Sequence, residues 1–224
     1  MLTLLRPNIL WNYHDTLISG AIVGLLLGVL AALLALLFGL GGWSLKASRR
    51  IALRWLGNAY VESMRNTPVL LYIYLIYYGL PEIGLSLSPF NSALLALSVQ
   101  SGAYMTEILR GAFQAVREEQ RQAARALALK PWHSLLHIEL PQVLRVAFPA
   151  LGNQLVSLIL GTSLASVITV PELMYESTLI GDRTYQYFSV FALDGILYVV
   201  IVELVSVFWN VLERIWFGRW GESV

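Results

Sequence analysis

The chain has 224 residues, of which 57% are hydrophobic and 13% charged, and its mean hydropathy is +0.66. Soluble domains carry roughly 25% charged residues, so this composition excludes a soluble globule and makes lipid the solvent. The formal charge of +1 says little about partners, and the lack of cysteine excludes a disulfide framework or a CxxC metal site.

From Thr16 to Leu45 there is no charge, with Asp15 and Lys46 as brackets. The run is too long for the core of a signal peptide, and a spanning helix needs about 20 apolar residues. The first span is read as 16–40, loosened at its end by Gly39, Gly41 and Gly42. Lys46, Arg49, Arg50 and Arg54 follow without an acidic residue. The second span, 56–80, carries Glu62 and Arg65 and is broken at Thr67-Pro68. Proline removes a backbone donor and turns the preceding residue away from helix. Such a break persists in a membrane only where it faces protein or a water-filled cavity.

The third span is 90–109, ending near Glu107 and followed by a polar, basic segment over 110–145. At 1.5 Å per residue, these roughly 35 residues have room for two short helices. The fourth span, 147–170, is uncharged; a loop with Glu172, Glu176, Asp182 and Arg183 leads to the fifth, 187–212, with Asp194 and Glu203. Nine residues apart, these two lie on opposite faces of a straight helix, with Asp194 close to the outer interface. Trp209, Trp216, Phe217 and Trp220 gather at the end, as aromatics do at a membrane interface.

Five spans put twelve of the fifteen basic residues on one side: the first-loop four, then Arg110, Arg117, Arg121, Arg125, Lys130 and Arg145, then Arg214 and Arg219. The positive-inside rule makes that side cytoplasmic, with the N-terminus outside and the C-terminus inside. The expected fold class is an all-α membrane protein of about five spans in one domain, with a cytoplasmic loop at 110–145.

No phosphate-binding GxxxxGK[ST], GxGxxG or HExxH string is present, and no nucleophile, base and orienting group stand together. Catalysis within the chain is not expected. His133 and His137 stand at i, i+4 but lack a third ligand nearby, so no metal site is expected. Intramembrane charges are functional by default. Glu62 with Arg65, and Glu107 with Arg110, have the i, i+3 spacing of helical ion pairs. Arg65, beside the Pro68 break, is a candidate for lining a path. So are Thr67, Gln154, Gly161, Thr162 and Ser163, which are expected near mid-membrane on a polar cavity; small residues such as Gly161 and Ser163 also serve helix packing.

Several strings now carry a resemblance. Arg65-Asn66-Thr67-Pro68-Val69-Leu70 with Ile76-Tyr77-Tyr78-Gly79-Leu80-Pro81, Ser101-Gly102-Ala103-Tyr104 through Gly111, and Gln122-Ala123-Ala124 through Leu129 stand in order. Leu140-Pro141-Gln142, Pro149 to Asn153 and Thr162 to Ile168 continue it. The chain resembles the membrane permease subunit of ABC importers for polar amino acids over nearly its whole length.

The resemblance implies the type I ABC importer permease fold in a bacterial inner membrane. It implies a second permease subunit, as homo- or heterodimer, with the path between the two. A periplasmic solute-binding protein delivers the solute, and cytoplasmic ATP-binding subunits hold ATP and Mg. No cofactor belongs to this chain, and nucleic acid is no partner. Gln122, Ala123, Ala124 and Ala128 fall in the coupling helix that docks the ATPase, where relatives have Glu for Gln122 and Gly for Ala128. Leu160 and Gly161 replace Lys and Asp of many relatives, and Gln154 stands where relatives for basic amino acids often have Glu. The absent carboxylates point to a solute that is not cationic, or to the non-binding half of a heterodimer. A permease for an opine, a sulfur amino acid or a small peptide is the alternative, and a non-transporting scaffold the remoter one.

Overall fold

The charge-free stretch after Asp15 lies inside one helix, α1 (Pro7–Lys46), of 40 residues with a kink at Tyr13. The computed structural model describes residues 7–116 and 118–218, and the side chains of these except 7–10 and 121. Arg117, Arg219 and Trp220, together with the side chain of Arg121, therefore lie outside the described residues.

All described elements are helical. α2 (Ile51–Arg65) ends at the break, and α3 (Val69–Tyr74) restarts after Pro68 and winds through a π turn to a 3-10 turn at Leu80–Ile83. α4 is Pro89–Ala115 and α5 is Glu118–Ala126. α6 (Pro131–Ser134) passes through a π turn into α7 (Leu140–Gly161), which tightens into a 3-10 segment at Thr162–Ile168. α8 is Leu173–Thr184 and α9 is Tyr187–Phe217.

Among the described residues, three helices are long and apolar enough to cross a membrane: Trp11–Lys46, Pro131–Ile168 and Tyr187–Phe217; Val69–Ile83 is a shorter apolar helix. The expected spans 16–40, 147–170 and 187–212 fall within these three or run a residue or two past their ends. The span expected at 90–109 falls in α4, whose buried face carries Ser92, Ser98, Ser101 and Thr106 and so is less apolar.

Two boundaries differ from the sequence reading. The polar loop expected over 110–145 is shorter, because α4 runs on to Ala115 and α7 starts at Leu140. The connection holding Glu172 to Arg183 is mostly helix, α8, capped by Glu172 itself. Its apolar positions Leu173 and Ile180 pack with Leu17 and Val190; this tertiary burial is what a reading by charge misses.

α1 lies along α4, and the main core joins Leu27, Ala31 and Ala35 to Ile73, Ala93, Ala96, Leu97 and Met105. The approach is close enough that a Cβ on Gly102 would stand 2.5 Å from Phe38 Cβ and 3.2 Å from the Ala35 carbonyl oxygen. Thr106 Oγ1 bonds across the seam to the Gly39 carbonyl at 3.2 Å and back to that of Gly102 at 2.9 Å. With lipid on the other side, close backbone contact of this kind replaces the hydrophobic effect as the attraction between helices.

Candidate functional site: a satisfied helix break, a coupling turn and a polar wall

Ending α2 at Arg65 leaves carbonyls without helical donors. Neighbouring side chains take them. Tyr72 Oη donates to the Ser63 carbonyl at 2.8 Å, Tyr104 Oη to that of Arg65 at 3.4 Å, and Gln100 Nε2 to that of Thr67 at 2.9 Å. Tyr104 comes from the Ser-Gly-Ala-Tyr string, so two of the sequence motifs meet at one break.

The Glu62–Arg65 pair expected from i, i+3 spacing does not form. Glu62 accepts from Asn66 Nδ2 at 3.0 Å, and the Arg65 guanidinium sits 5.3 Å from the Tyr104 ring centroid. The other spacing gives a larger assembly than a pair. Arg110 reaches Glu107 at 2.7 Å, and Lys46 from the end of α1 reaches the other carboxylate oxygen at 2.6 Å. The hydrogen bond and charge of Glu107 raise Arg110 above its ordinary value, so it stays a cation. Nothing local marks Lys46 for this role, since 61 residues separate it from Glu107.

The expected path residues divide. Gln154, Gly161 and Ser163 are half-buried, and a Cβ on Gly161 would meet Leu97 at an ordinary 3.6 Å. Gly161 therefore is not a close-packing glycine. Thr162 is a correction: it is 1% exposed, packs toward Gly24 and Gly28 of α1, and bonds the Ile159 carbonyl at 2.7 Å. Eight residues at 100° put it about 80° from Gln154 even on a regular helix, and the 3-10 turn starting there adds to the offset.

The segment expected to dock an ATPase holds a turn of defined chemistry. The Ala128 N–H donates to the Arg125 carbonyl at 2.9 Å and the Leu129 N–H to that of Ala124 at 3.1 Å. This is the Schellman closure of a helix, whose positive-φ residue is usually glycine. Here it is Ala128, at φ 53°. Gln122 and Ala123 are exposed, but Ala124 is 2% exposed and turned into the chain. The Ala-Ala pair is thus one outward and one inward position, not a joint contact surface. Leu127 (74% exposed) and Trp132 (53%) stand out beside it. The His133 and His137 rings stack at 5.1 Å, and among the described residues no group of three or more His, Asp or Glu side chains could hold a metal.

Two buried carboxylates were missed as structural elements. Glu172, fully buried, accepts from the N–H groups of Met174 (3.0 Å) and Tyr175 (2.8 Å) and from Tyr198 Oη (2.8 Å). Asp194 is buried and takes Ser177 Oγ at 2.8 Å, so it belongs to the α8–α9 seam and not to an outer surface. α9 also docks on α7, where Trp209 stacks on Phe148 with centroids 4.4 Å apart and donates to its carbonyl at 3.0 Å. Gly152 is what admits that indole, since a Cβ there would collide with it.

Beside Trp209 a groove between α7 and α9 has a volume of about 170 Å³, and Asn153, Ser206, Asn210 and Glu213 contribute its polar lining. A larger cleft of about 390 Å³ continues it past Asn210 and Glu213 to Arg145 and Arg214.

Residues 24–216 match the family described as binding-protein-dependent transport system inner membrane component, and the chain belongs to that family. It is similar to the probable amino-acid ABC transporter permease protein YckA of Bacillus subtilis (38% identity, covering 75% of each chain). It is also similar to the probable glutamine ABC transporter permease protein GlnM of that organism (32%, covering 94% of this chain and 97% of the relative). The L-cystine transport system permease protein TcyB, again from Bacillus subtilis, is 37% identical over 72% of this chain and 70% of its own. Among solved structures, an amino acid ABC transporter crystallised with histidines superposes with a TM-score of 0.88 at 30% identity, covering 94% of this chain and 98% of that one. The MetNI methionine ABC transporter in an inward-facing form gives a TM-score of 0.74 at 18% identity, over 95% of this chain and 99% of that one, a likeness of fold. The chain is an ABC transporter permease of the inner membrane, with an all-helical fold.

Proposed function

We propose that this chain forms one half of the solute path of an ATP-driven amino acid importer and takes its drive from separate ATPase subunits docked on α5 and the turn after it. The observation that carries the proposal is the coupling segment: a short helix closed at Ala128, presenting Gln122, Ala123, Leu127 and Trp132 outward between α4 and α7. In a chain without a phosphate loop, an exposed apolar surface on a stiff element is a docking surface for a soluble partner. Hydrolysis belongs to that partner.

The motion has a defined entry. α4 is tied to α1 through Glu107 and Lys46, and α7 to α9 through Trp209. A push on α5 therefore reaches two helix pairs and moves them as bodies. Five crossings, with the N-terminus outside and the coupling segment in the cytoplasm, satisfy the charge distribution. A second permease subunit completes the path, and a periplasmic solute-binding protein supplies it. Relatives named for glutamine and for cystine support an amino acid as solute, the second favouring the sulfur amino acid variant of this reading.

The test is co-purification and uptake with the cognate ATPase and binding protein in proteoliposomes. Leu127→Asp is expected to release the ATPase and abolish uptake while membrane insertion stays normal. Retained ATPase and undiminished uptake would remove the segment from the coupling role.

A further inference from the structure

Glu203 lies in the middle of α9, about 24 Å from Tyr187 and about 21 Å from Phe217 at 1.5 Å per residue. Its side chain is exposed on the chain, and no cation among the described residues reaches it. A charge at that depth does not face hydrocarbon: it faces the bundle interior, a water-filled cavity or a partner. The neighbours on its helix say which. Glu203, Ser206, Asn210 and Glu213 follow at i, i+3, i+7 and i+10, the spacing of one helical face. The last three line the α7–α9 groove opposite Asn153. Ser157, exposed one turn beyond Asn153, extends that lining on α7. Two helices thus present a row of polar side chains along a groove that Pro149, Val156 and Trp209 also line.

The wall is asymmetric in charge. Glu213 shares its cleft with Arg145 and Arg214. Glu203 has no such company, and α7 offers no charge of either sign between Ala147 and Val170. The complement that Glu203 lacks is a mobile cation. We propose that the wall formed by Asn153, Ser157, Ser206 and Asn210 lines the inward-opening part of the solute path, and that Glu203 receives there the ammonium group of the passing amino acid. This rests on the permease reading above. It names the solute class as one bearing an ammonium group, whatever its side chain.

The chain has no cysteine, so single-cysteine variants need no prior clearance. Ser206→Cys is reconstituted with its ATPase and binding protein in vesicles and treated with methanethiosulfonate reagents carrying an ammonium or a sulfonate group. Reaction is expected with both, faster by about tenfold for the ammonium reagent because a fixed carboxylate in a confined channel concentrates cations. Adding Glu203→Gln is expected to erase that preference, and adding Glu203→Asp to keep it. The single variant Glu203→Gln is expected to raise the half-saturating solute concentration for uptake of labelled glutamine or cystine, and Glu203→Asp to restore much of it. An unreactive thiol in the Ser206→Cys variant would mean that the wall meets lipid or a second subunit, and overturns the proposal. Reaction without charge preference, or a preference untouched by Glu203→Gln, overturns the role of Glu203. Uptake by the wild-type complex is the separate arm: if it carries no amino acid while the labelling pattern holds, the amino acid reading fails and the water-lined wall stands.

Discussion

The ammonium of Lys46, at the last turn of α1, lies 2.6 Å from the carboxylate of Glu107 on α4, and Arg110 holds the other oxygen of that carboxylate. The two long helices are thus locked at the end from which the chain leaves α4 for α5. Lys46 and Glu107 side chains are only 16% and 18% exposed. Removing Lys46 leaves a largely desolvated carboxylate with Arg110 as its remaining counter-charge, which costs more than a surface pair is worth. Lys46→Met is expected to destabilise the detergent-purified complex by about 1–3 kcal/mol, read as a lower thermal midpoint, and Glu107→Gln added to it should recover part of the loss. A double variant equal to the sum of the singles would show that the two groups do not act on each other.

Gly102 makes a sharper prediction about the same seam. Any side chain there must displace Phe38 Cβ or the α1 backbone, neither of which is a flexible group. Overpacking of a tight contact costs typically 1–3 kcal/mol and more where backbone must move. Gly102→Val is expected to separate α1 from α4 and leave little folded protein in the membrane fraction. Normal yield with an unchanged thermal midpoint would place the seam elsewhere.

The sequence made some of this legible and not the rest, for definable reasons. Lipid leaves a strong local signature, so the charge-free run of α1 and the break at Pro68 were readable from single segments. The pairing of Glu107 with Arg110 was readable too, being local. Lys46 was not, because its partner is 61 residues away. α8 looked like a loop because its polar residues outnumber the few apolar ones that pack. Thr162 looked like a path residue because an eight-residue spacing passes for one face, although it turns about 80° from Gln154 on a regular helix and further in the 3-10 segment. Ala124 carried the family signature, but which of two adjacent alanines faces outward depends on the turn that closes α5.

That turn is itself testable. Ala128 holds φ at 53°, a region that costs a non-glycine residue roughly 1–2 kcal/mol. Ala128→Gly should relieve about 1 kcal/mol of it and slow amide exchange of Ala128 and Leu129, whose N–H groups close the turn. Ala128→Val, β-branched, should speed that exchange and weaken coupling. Faster exchange in the glycine variant would show that the turn does not close through a positive-φ residue.

The capping carboxylate of Glu172 supports the last prediction. Fully buried itself, it satisfies two N–H groups at the start of α8 and the hydroxyl of Tyr198 on α9. Against it, a Cβ on Gly20 of α1 would stand 3.0–3.1 Å from the Glu172–Leu173 backbone, so the start of α8 is clamped against α1. Glu172→Ala leaves three partly buried donors without acceptors, at up to about 1–3 kcal/mol each before relaxation. It is expected to unseat α8 and lower the thermal midpoint well beyond the effect of Tyr198→Phe, which removes donor and demand together and should cost about 1 kcal/mol. Glu172→Gln keeps one acceptor oxygen and should fall between the two. The thermal midpoints of the three variants, measured side by side, decide it: if Tyr198→Phe is the most damaging, the tyrosine is packing the α8–α9 seam and the cap is incidental.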